Sequence, residues 1–343
     1  MTSPSELRKD PVSGRWVIIA SERSKRPDDF RPAKPIERPS VPSAFCPFCA
    51  GNEAKTPPEI FTLSGPADGP GSPPWRVRLV PNKFPAVSRG DAPARVRRGL
   101  FESMPGIGVH EVVIESPDHG REMADLPEDH IRDILATYQA RLRSIEAEPQ
   151  YAYTQLFKNK GVEAGASLSH PHTQIVALPI IPKQVKEEIF RSERFHRRTG
   201  DCLFCRTVAE ELDAVERIVL KNAHFAAVEP FASRFPFETR IFPLRHAPFF
   251  SAAGLEEIAA LAGMLSAVLT KMKSLLADPS YNLVLHQSPN PAHARRLWPE
   301  FEQISHWYLE IIPVLTHVAG FEWGTGLYIN PMVPESAAKF LRD

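Results

Sequence analysis

The sequence predicts an α+β fold built as a tandem pair of similar units, spanning residues 1–185 and 186–343. Three observations carry this. The order Cys-x-x-Cys, His, helix, His occurs twice: first with Cys46, Cys49, His119 and His170, then with Cys202, Cys205, His246 and His306. Glu111 lies eight residues before His119, and Glu238 lies eight before His246. Finally, each half carries one long amphipathic stripe followed by a β-rich run. Self-similarity of this kind outranks local propensity in setting the architecture.

Taken in order, Met1 to Val12 is polar and lacks the apolar centre of a secretory signal. Twelve of the 35 prolines fall between Pro27 and Pro74. Each ring removes a backbone donor and biases its predecessor to extended geometry, so this stretch reads as irregular chain with short strands. Val80-Pro-Asn82-Lys-Phe84 and Leu220-Lys-Asn222-Ala-His-Phe225 form a further matched pair. Helical patterns open eight residues beyond His119 and His246. The first places Ile131, Ile134, Leu135, Tyr138, Leu142 and Ile145 on one stripe; the second does so with Leu255, Ile258, Ala262, Leu265, Val268, Leu269 and Met272. Tyr153–Phe157 and Tyr281–Leu285 read as strands, each followed by a Ser-His pair.

Composition narrows the function. Forty-one basic and 41 acidic residues cancel, which argues against nucleic acid or an anionic membrane as partner, since both are bound through basic excess. No uninterrupted apolar run approaches the roughly 18 residues of a membrane span. The expectation is a soluble, cytoplasmic protein. There, paired cysteines point to metal rather than to a disulfide framework.

Two thiolates and two imidazoles form a tetrahedral set suited to zinc. The expected sites are Cys46, Cys49, His119 and His170, and Cys202, Cys205, His246 and His306. Both are closed sets of four protein ligands, so two structural zinc ions per chain are expected. A lone core histidine is more often just hydrogen-bonded, but two matching sets favour metal.

The first half has a histidine to spare. In Ser169-His170-Pro-His172-Thr-Gln174, strand alternation projects His170, His172 and Gln174 from one face. The second half has Tyr308 in place of His172, so metal binding does not require it. An imidazole fixed in one tautomer by a backbone acceptor is a competent nucleophile toward phosphorus. Asn159-Lys160-Gly161 and Gly165-Ala-Ser167 offer a small-residue loop suited to phosphate oxygens, though an ordinary surface turn would read the same.

His170-Pro-His172-Thr-Gln174, preceded by Asn159-Lys160-Gly161 and Ser167, resembles the active-site segment of galactose-1-phosphate uridylyltransferases, of the histidine-triad superfamily. Arg8-Lys-Asp10-Pro-Val-Ser-Gly14-Arg-Trp16, the Arg23-Ser-Lys-Arg26-Pro27 element, Ser116-Pro-Asp-His119 and Phe235-Pro-Phe-Glu238-Thr239 extend the resemblance over nearly the whole chain. It implies two histidine-triad-like units forming a mainly antiparallel half-barrel sheet with packed helices. It also implies a homodimer acting on a nucleotide sugar such as UDP-glucose and a hexose 1-phosphate. By the same resemblance His172 takes the nucleoside monophosphate and Gln174 binds the transferred phosphoryl oxygens. Asn159 and Ser167 contact phosphate, Asn82 the nucleoside, Arg23 and Arg26 further phosphates, and Glu322 belongs to the acceptor-holding tail. Gly320-Phe-Glu322-Trp-Gly-Thr-Gly326-Leu-Tyr-Ile-Asn330 instead resembles the ADP-glucose phosphorylase branch, which transfers adenylyl groups. The alternatives are a histidine-triad nucleotide hydrolase and a non-enzymatic zinc-stapled binding module.

Overall fold

The computed structural model describes residues 5–20, 44–65 and 75–343. Arg23 and Arg26 lie outside the described residues. The first half opens with β1 (Glu6–Lys9) and β2 (Trp16–Ile19), then β3 (Phe61–Ser64), β4 (Trp75–Pro81) and a small hairpin, β5 (Val96–Arg98) with β6 (Phe101–Ser103). It continues through β7 (Val109–Ile114), α1 (Glu128–Glu146), β8 (Tyr153–Lys160) and β9 (His172–Leu178). Two connecting helices follow, α2 (Lys183–Thr199) and α3 (Leu203–Ala214). The second half runs β10 (Ile218–Lys221), β11 (Phe225–Val228), β12 (Thr239–Pro243), α4 (Leu255–Leu275) and β13 (Tyr281–His286). After α5 (Pro291–Leu297) and α6 (Phe301–Ile304) come β14 (Tyr308–Pro313), α7 (Gly320–Thr325), β15 (Tyr328–Asn330) and α8 (Pro334–Arg342).

Ten strands form one antiparallel sheet in the order β10-β11-β12-β14-β13-β8-β9-β7-β4-β3. Read outward from the β8–β13 seam, each half has the same succession. Thus β8 matches β13, β9 matches β14, β7 matches β12, β4 matches β11 and β3 matches β10. The fold is α+β with a mainly antiparallel sheet, as the doubled sequence order predicts.

The two long helices begin one residue past Pro127 and Gly254, close to where the sequence pattern opens them. All six stripe residues of α1 are buried. So are those of α4 except Leu255, which sits at the first helical position and faces solvent. Both stripes join Val77, Leu79, Val113, Leu156, Ile175, Leu283 and Ile311 in one core on one face of the sheet. Although α4 reaches the length and apolarity of a membrane span, eight of its residues are buried in this core.

Beside the large sheet, β1, β2 and β15 form a smaller one, with β2 and β15 parallel. It binds the N-terminal segment to the second half: Arg8 pairs with Glu335 at 2.8 Å and Asp10 with Arg240 at 2.9 Å. The register also corrects one sequence match. Asn82 follows β4, whereas Asn222 precedes β11, the strand that matches β4. The two asparagines share a local turn habit, each accepting an amide two residues on (Phe84 and His224, 2.9 Å each), but they are not repeat equivalents.

Candidate active site and metal centres

Each expected ligand set is assembled in space, with its four ligand atoms within 4.8 Å of one another. In the first, Cys49 Sγ lies 3.3 Å from His119 Nδ1 and 3.6 Å from His170 Nδ1. In the second, Cys205 Sγ lies 3.2 Å from His246 Nδ1 and 3.5 Å from His306 Nδ1. A tetrahedral zinc with its usual bond lengths requires a sulfur–nitrogen edge of about 3.6 Å, so both sets fit it.

The outer nitrogens are equally ordered. His170 Nε2–H donates to the Ser116 carbonyl at 2.7 Å and His306 Nε2–H to the Pro243 carbonyl at 3.1 Å. Both acceptors lie three residues before the other histidine of their set, so the repeat extends to the groups behind the ligands. His246 donates to the Glu302 carbonyl at 2.6 Å, while His119 Nε2 meets Ser169 Oγ at 2.8 Å. Such partners fix the ring and present a bare Nδ1 to a metal. Burial lowers the His170 pKa to about 4, which keeps its ligating nitrogen unprotonated. Hydrogen bonding from Cys205, opposed by burial and joined by His246 and His306, favours the Cys202 thiolate. The first set is buried throughout; in the second, Cys205 and His246 are only partly covered.

His172 opens β9, beside the first set. Its Nδ1–H donates to the His170 carbonyl at 2.8 Å, which leaves the Nε2 lone pair free. Burial lowers its pKa, opposed by that carbonyl, so the ring is held neutral. Phe48, between the two cysteines of the first set, lies against it with ring centroids 5.4 Å apart. The same carbonyl-bearing residue thus belongs to the metal set and fixes the tautomer of its neighbour.

Around His172 the sheet brings together residues distant in sequence. Thr173 pairs with Lys158, so Asn159 stands across from His172, on the strand next to it. Asn282, from β13, donates to Asn159 Oδ1 and to the Ala164 carbonyl, 2.9 Å each. That orients the Asn159 amide with its N–H groups free and steadies the 161–167 loop. Gly161 has φ +84°, and a Cβ there would overlap Ser280 Oγ, so the loop's entry requires glycine. Ser167 is exposed on this loop.

Gln174, two residues along the same face as His172, meets His110 Nε2 at 2.9 Å, and Asn82 Nδ2 lies 3.0 Å from that nitrogen. Asn82, Gln174, Asn159 and His172 therefore share one face. Glu322 is placed differently: its carboxylate accepts the Ala319 amide at 3.0 Å and caps α7, beside the smaller sheet.

On the opposite face lies a buried ionic layer that sequence reasoning misses. Lys158 Nζ contacts Glu115 at 2.7 Å and Glu122 at 3.2 Å. Glu115 also accepts from Thr173 Oγ1 at 2.6 Å and from Tyr138 at 2.9 Å. Burial pushes the Glu115 carboxyl up, but Lys158, Thr173 and Tyr138 outweigh it and hold it below its ordinary range. Thr173, between His172 and Gln174, is thereby anchored from below.

The corresponding position in the second half is closed. Tyr308, in place of His172, stacks on His286 with centroids 4.3 Å apart. Glu310, in place of Gln174, is ion-paired with Arg234 at 2.7 Å and Arg240 at 3.0 Å. The Cys2His2 arrangement thus occurs twice, and the imidazole with an open Nε2 beside it once.

Residues 75–182 match the family described as galactose-1-phosphate uridyl transferase, N-terminal domain. Across 98% of its length the chain is 38% identical to ADP-glucose phosphorylase of Arabidopsis thaliana, covering 92% of that protein. It is 29% identical to galactose-1-phosphate uridylyltransferase of Thermotoga maritima, over 98% of both chains. The crystal structure of an ADP-glucose phosphorylase from Arabidopsis thaliana with bound ADP-glucose aligns with a TM-score of 0.80 at 35% identity, over 99% of both chains. The fold and its relatives define a nucleotidyltransferase. Within that class, the chain belongs to the galactose-1-phosphate uridylyltransferase family.

Proposed function

We propose that the protein moves a nucleoside monophosphate between a nucleotide sugar and a hexose 1-phosphate, in two displacements through a covalent intermediate on His172. The observation that carries this is the His172 Nδ1–H bond to the His170 carbonyl, which leaves Nε2 with its lone pair in a neutral ring. In the first displacement Nε2 attacks the α-phosphorus and a P–N bond forms. The P–O bond to the sugar phosphate breaks, and sugar 1-phosphate leaves with the electron pair. In the second, a phosphate oxygen of the acceptor attacks the same phosphorus and the P–N electrons return to Nε2. The amide N–H groups of Asn159 and Gln174 stabilise charge on the phosphoryl oxygens, joined by the Ser167 hydroxyl. Asn82 contacts the nucleoside. Zinc, held by the two Cys2His2 sets, supplies cross-links that fix the scaffold and the His170 carbonyl.

The reading includes a homodimer in the cytoplasm. Phe84, Leu100, Phe101 and Trp323 are 80–93% exposed, which favours burial against a second chain. Four cysteines held as metal thiolates suit a reducing compartment. Arg23, Arg26 and Glu322 are assigned to phosphate and sugar contacts completed in that dimer.

A second reading, adenylyl transfer from ADP-glucose to inorganic phosphate, is favoured by the 38% identity to the plant ADP-glucose phosphorylase and by the Gly320–Asn330 tail. Incubating the protein with α-phosphorus-labelled UDP-glucose or ADP-glucose, then with galactose 1-phosphate or phosphate, separates the two. Either transfer reading requires an acid-labile, alkali-stable adduct, absent from His172→Gly. A labelled adduct surviving in that variant refutes the His172 assignment.

A further inference from the structure

The repeat separates scaffold from chemistry at adjacent positions. His119 and His170 recur as His246 and His306, whereas the strand register sets Glu111 against Thr239 and not Glu238. On the sheet, Gln174 faces Val112 and Glu310 faces Arg240, so the positions of His110, His172 and Gln174 instead hold Glu238, Tyr308 and Glu310. His110, His172 and Gln174 lie on β7 and β9; Tyr308 and Glu310 lie on β14, and Glu238 one residue before β12. Glu238 is fully buried and, like Glu310, paired with Arg234 and Arg240, so the second half has a closed ion network where the first has an imidazole and an amide. His110 therefore varies with the candidate chemistry and not with the metal scaffold.

Its hydrogen bonds give it a definite protonation pattern. The Ala86 backbone amide lies 3.0 Å from His110 Nδ1 and is an obligatory donor, so Nδ1 is the accepting nitrogen. Nε2 then carries the proton and donates to Gln174 Oε1 at 2.9 Å. The oxygen end of the Gln174 amide is thereby turned to His110 and its N–H groups away from it. Asn82 is oriented by its own turn: its Oδ1 accepts the Phe84 amide at 2.9 Å, which brings its Nδ2 to 3.0 Å from the protonated Nε2, a contact between two donors and not a hydrogen bond.

We propose that His110 is a positioning residue for nucleotidyl transfer, fixing Gln174 with its amide protons toward the phosphoryl group on His172. This rests on the transfer reading above. A glutamine free to flip would present its oxygen to an anionic phosphoryl group about as readily as its N–H groups, turning a stabilising contact into a repulsive one. His110 removes that alternative, and through Ala86 it ties the loop that carries Asn82 to the same group.

A double-mutant cycle on kcat/KM tests this, with ADP-glucose plus phosphate and UDP-glucose plus galactose 1-phosphate as the substrates assayed. His110→Leu should lower kcat/KM about 10–100-fold, with zinc content and thermal midpoint held. Gln174→Ala should cost a similar factor, and the double variant should be no worse than Gln174→Ala alone, because His110 acts through Gln174. His110→Gln, whose side-chain amide nitrogen can occupy the position of Nε2, should recover activity to within about threefold. Independent, multiplying losses would overturn the proposal, as would a fully active His110→Leu. So would a His110→Gln variant that folds but is no better than His110→Leu. Failure of the transfer reading shows elsewhere, as an adduct that persists in His172→Gly.

Discussion

Replacing Lys158 by Met probes the ionic layer on the far side of the sheet from His172. Lys158 is 1% exposed and bridges Glu115 and Glu122, with Glu115 fully buried. Methionine keeps most of the stem volume but removes the charge, leaving two carboxylates without their cation. Breaking a buried pair from one side costs about 3–5 kcal/mol. For a 343-residue chain the unfolding entropy is about 0.7 kcal/mol per kelvin, so the midpoint should fall by roughly 4–7 °C. The loss should depend on pH in a defined direction. In the parent protein the Glu115 pKa lies below its ordinary value of 4.5, so its contribution is complete above that value and lost as pH falls through the folded one. Without Lys158, burial dominates and the Glu115 pKa rises, so the neutral acid becomes the favoured form. The variant should then be most destabilised at pH 8 and recover part of the loss toward pH 5. Thermal unfolding followed by circular dichroism at both values measures this directly. A loss below about 1 kcal/mol, or an equal loss at both pH values, would refute the reasoning.

Other expected outcomes follow from the same geometry. Purified protein should hold close to two zinc ions per chain by elemental analysis, and Cys202→Ser/Cys205→Ser should hold one and unfold at lower temperature, because metal-binding energy is folding energy. Wild-type protein with a single zinc would exclude the second site. Tyr308→Phe should reduce transfer far less than His172→Ala; equal losses with zinc retained would mean that the halves do not divide labour. Gly161→Ala, strained at φ +84° and crowded by Ser280, should destabilise the protein by about 1–3 kcal/mol and weaken substrate binding. An unchanged KM would mean that the 161–167 loop does not hold phosphate.

The ligand sets are legible in the sequence because thiolates and imidazoles are rare and their spacing repeats. The long helices are legible because their stripes are strictly periodic and opened by Pro127 and Gly254. His172 stands out because the repeat has no counterpart for it. His110 does not, because the sequence interval sets it against Phe237 whereas the strand register sets it against Glu238, a one-residue offset that only the sheet reveals. Glu115 and Lys158 lie 43 residues apart and meet only through the β7–β9–β8 register, which no local spacing encodes. Asn222 misleads for the complementary reason: a turn-forming Asn recurs wherever strands end, so its match to Asn82 reported local chemistry and not descent.

The β8–β13 seam gives the second half a task unrelated to metal or substrate. Strand β8 runs eight residues and is paired on both sides, with β9 from its own half and β13 from the other. Cut off from the second half, it would become an open border of unpaired N–H and C=O groups, the kind of edge that recruits other chains. The first half alone should therefore self-associate instead of remaining a soluble, smaller catalyst. It would also lose Asn282, and with it the orientation of Asn159. Without a counterpart of His172, the second half still serves as the selvedge that keeps the first from unravelling into aggregates.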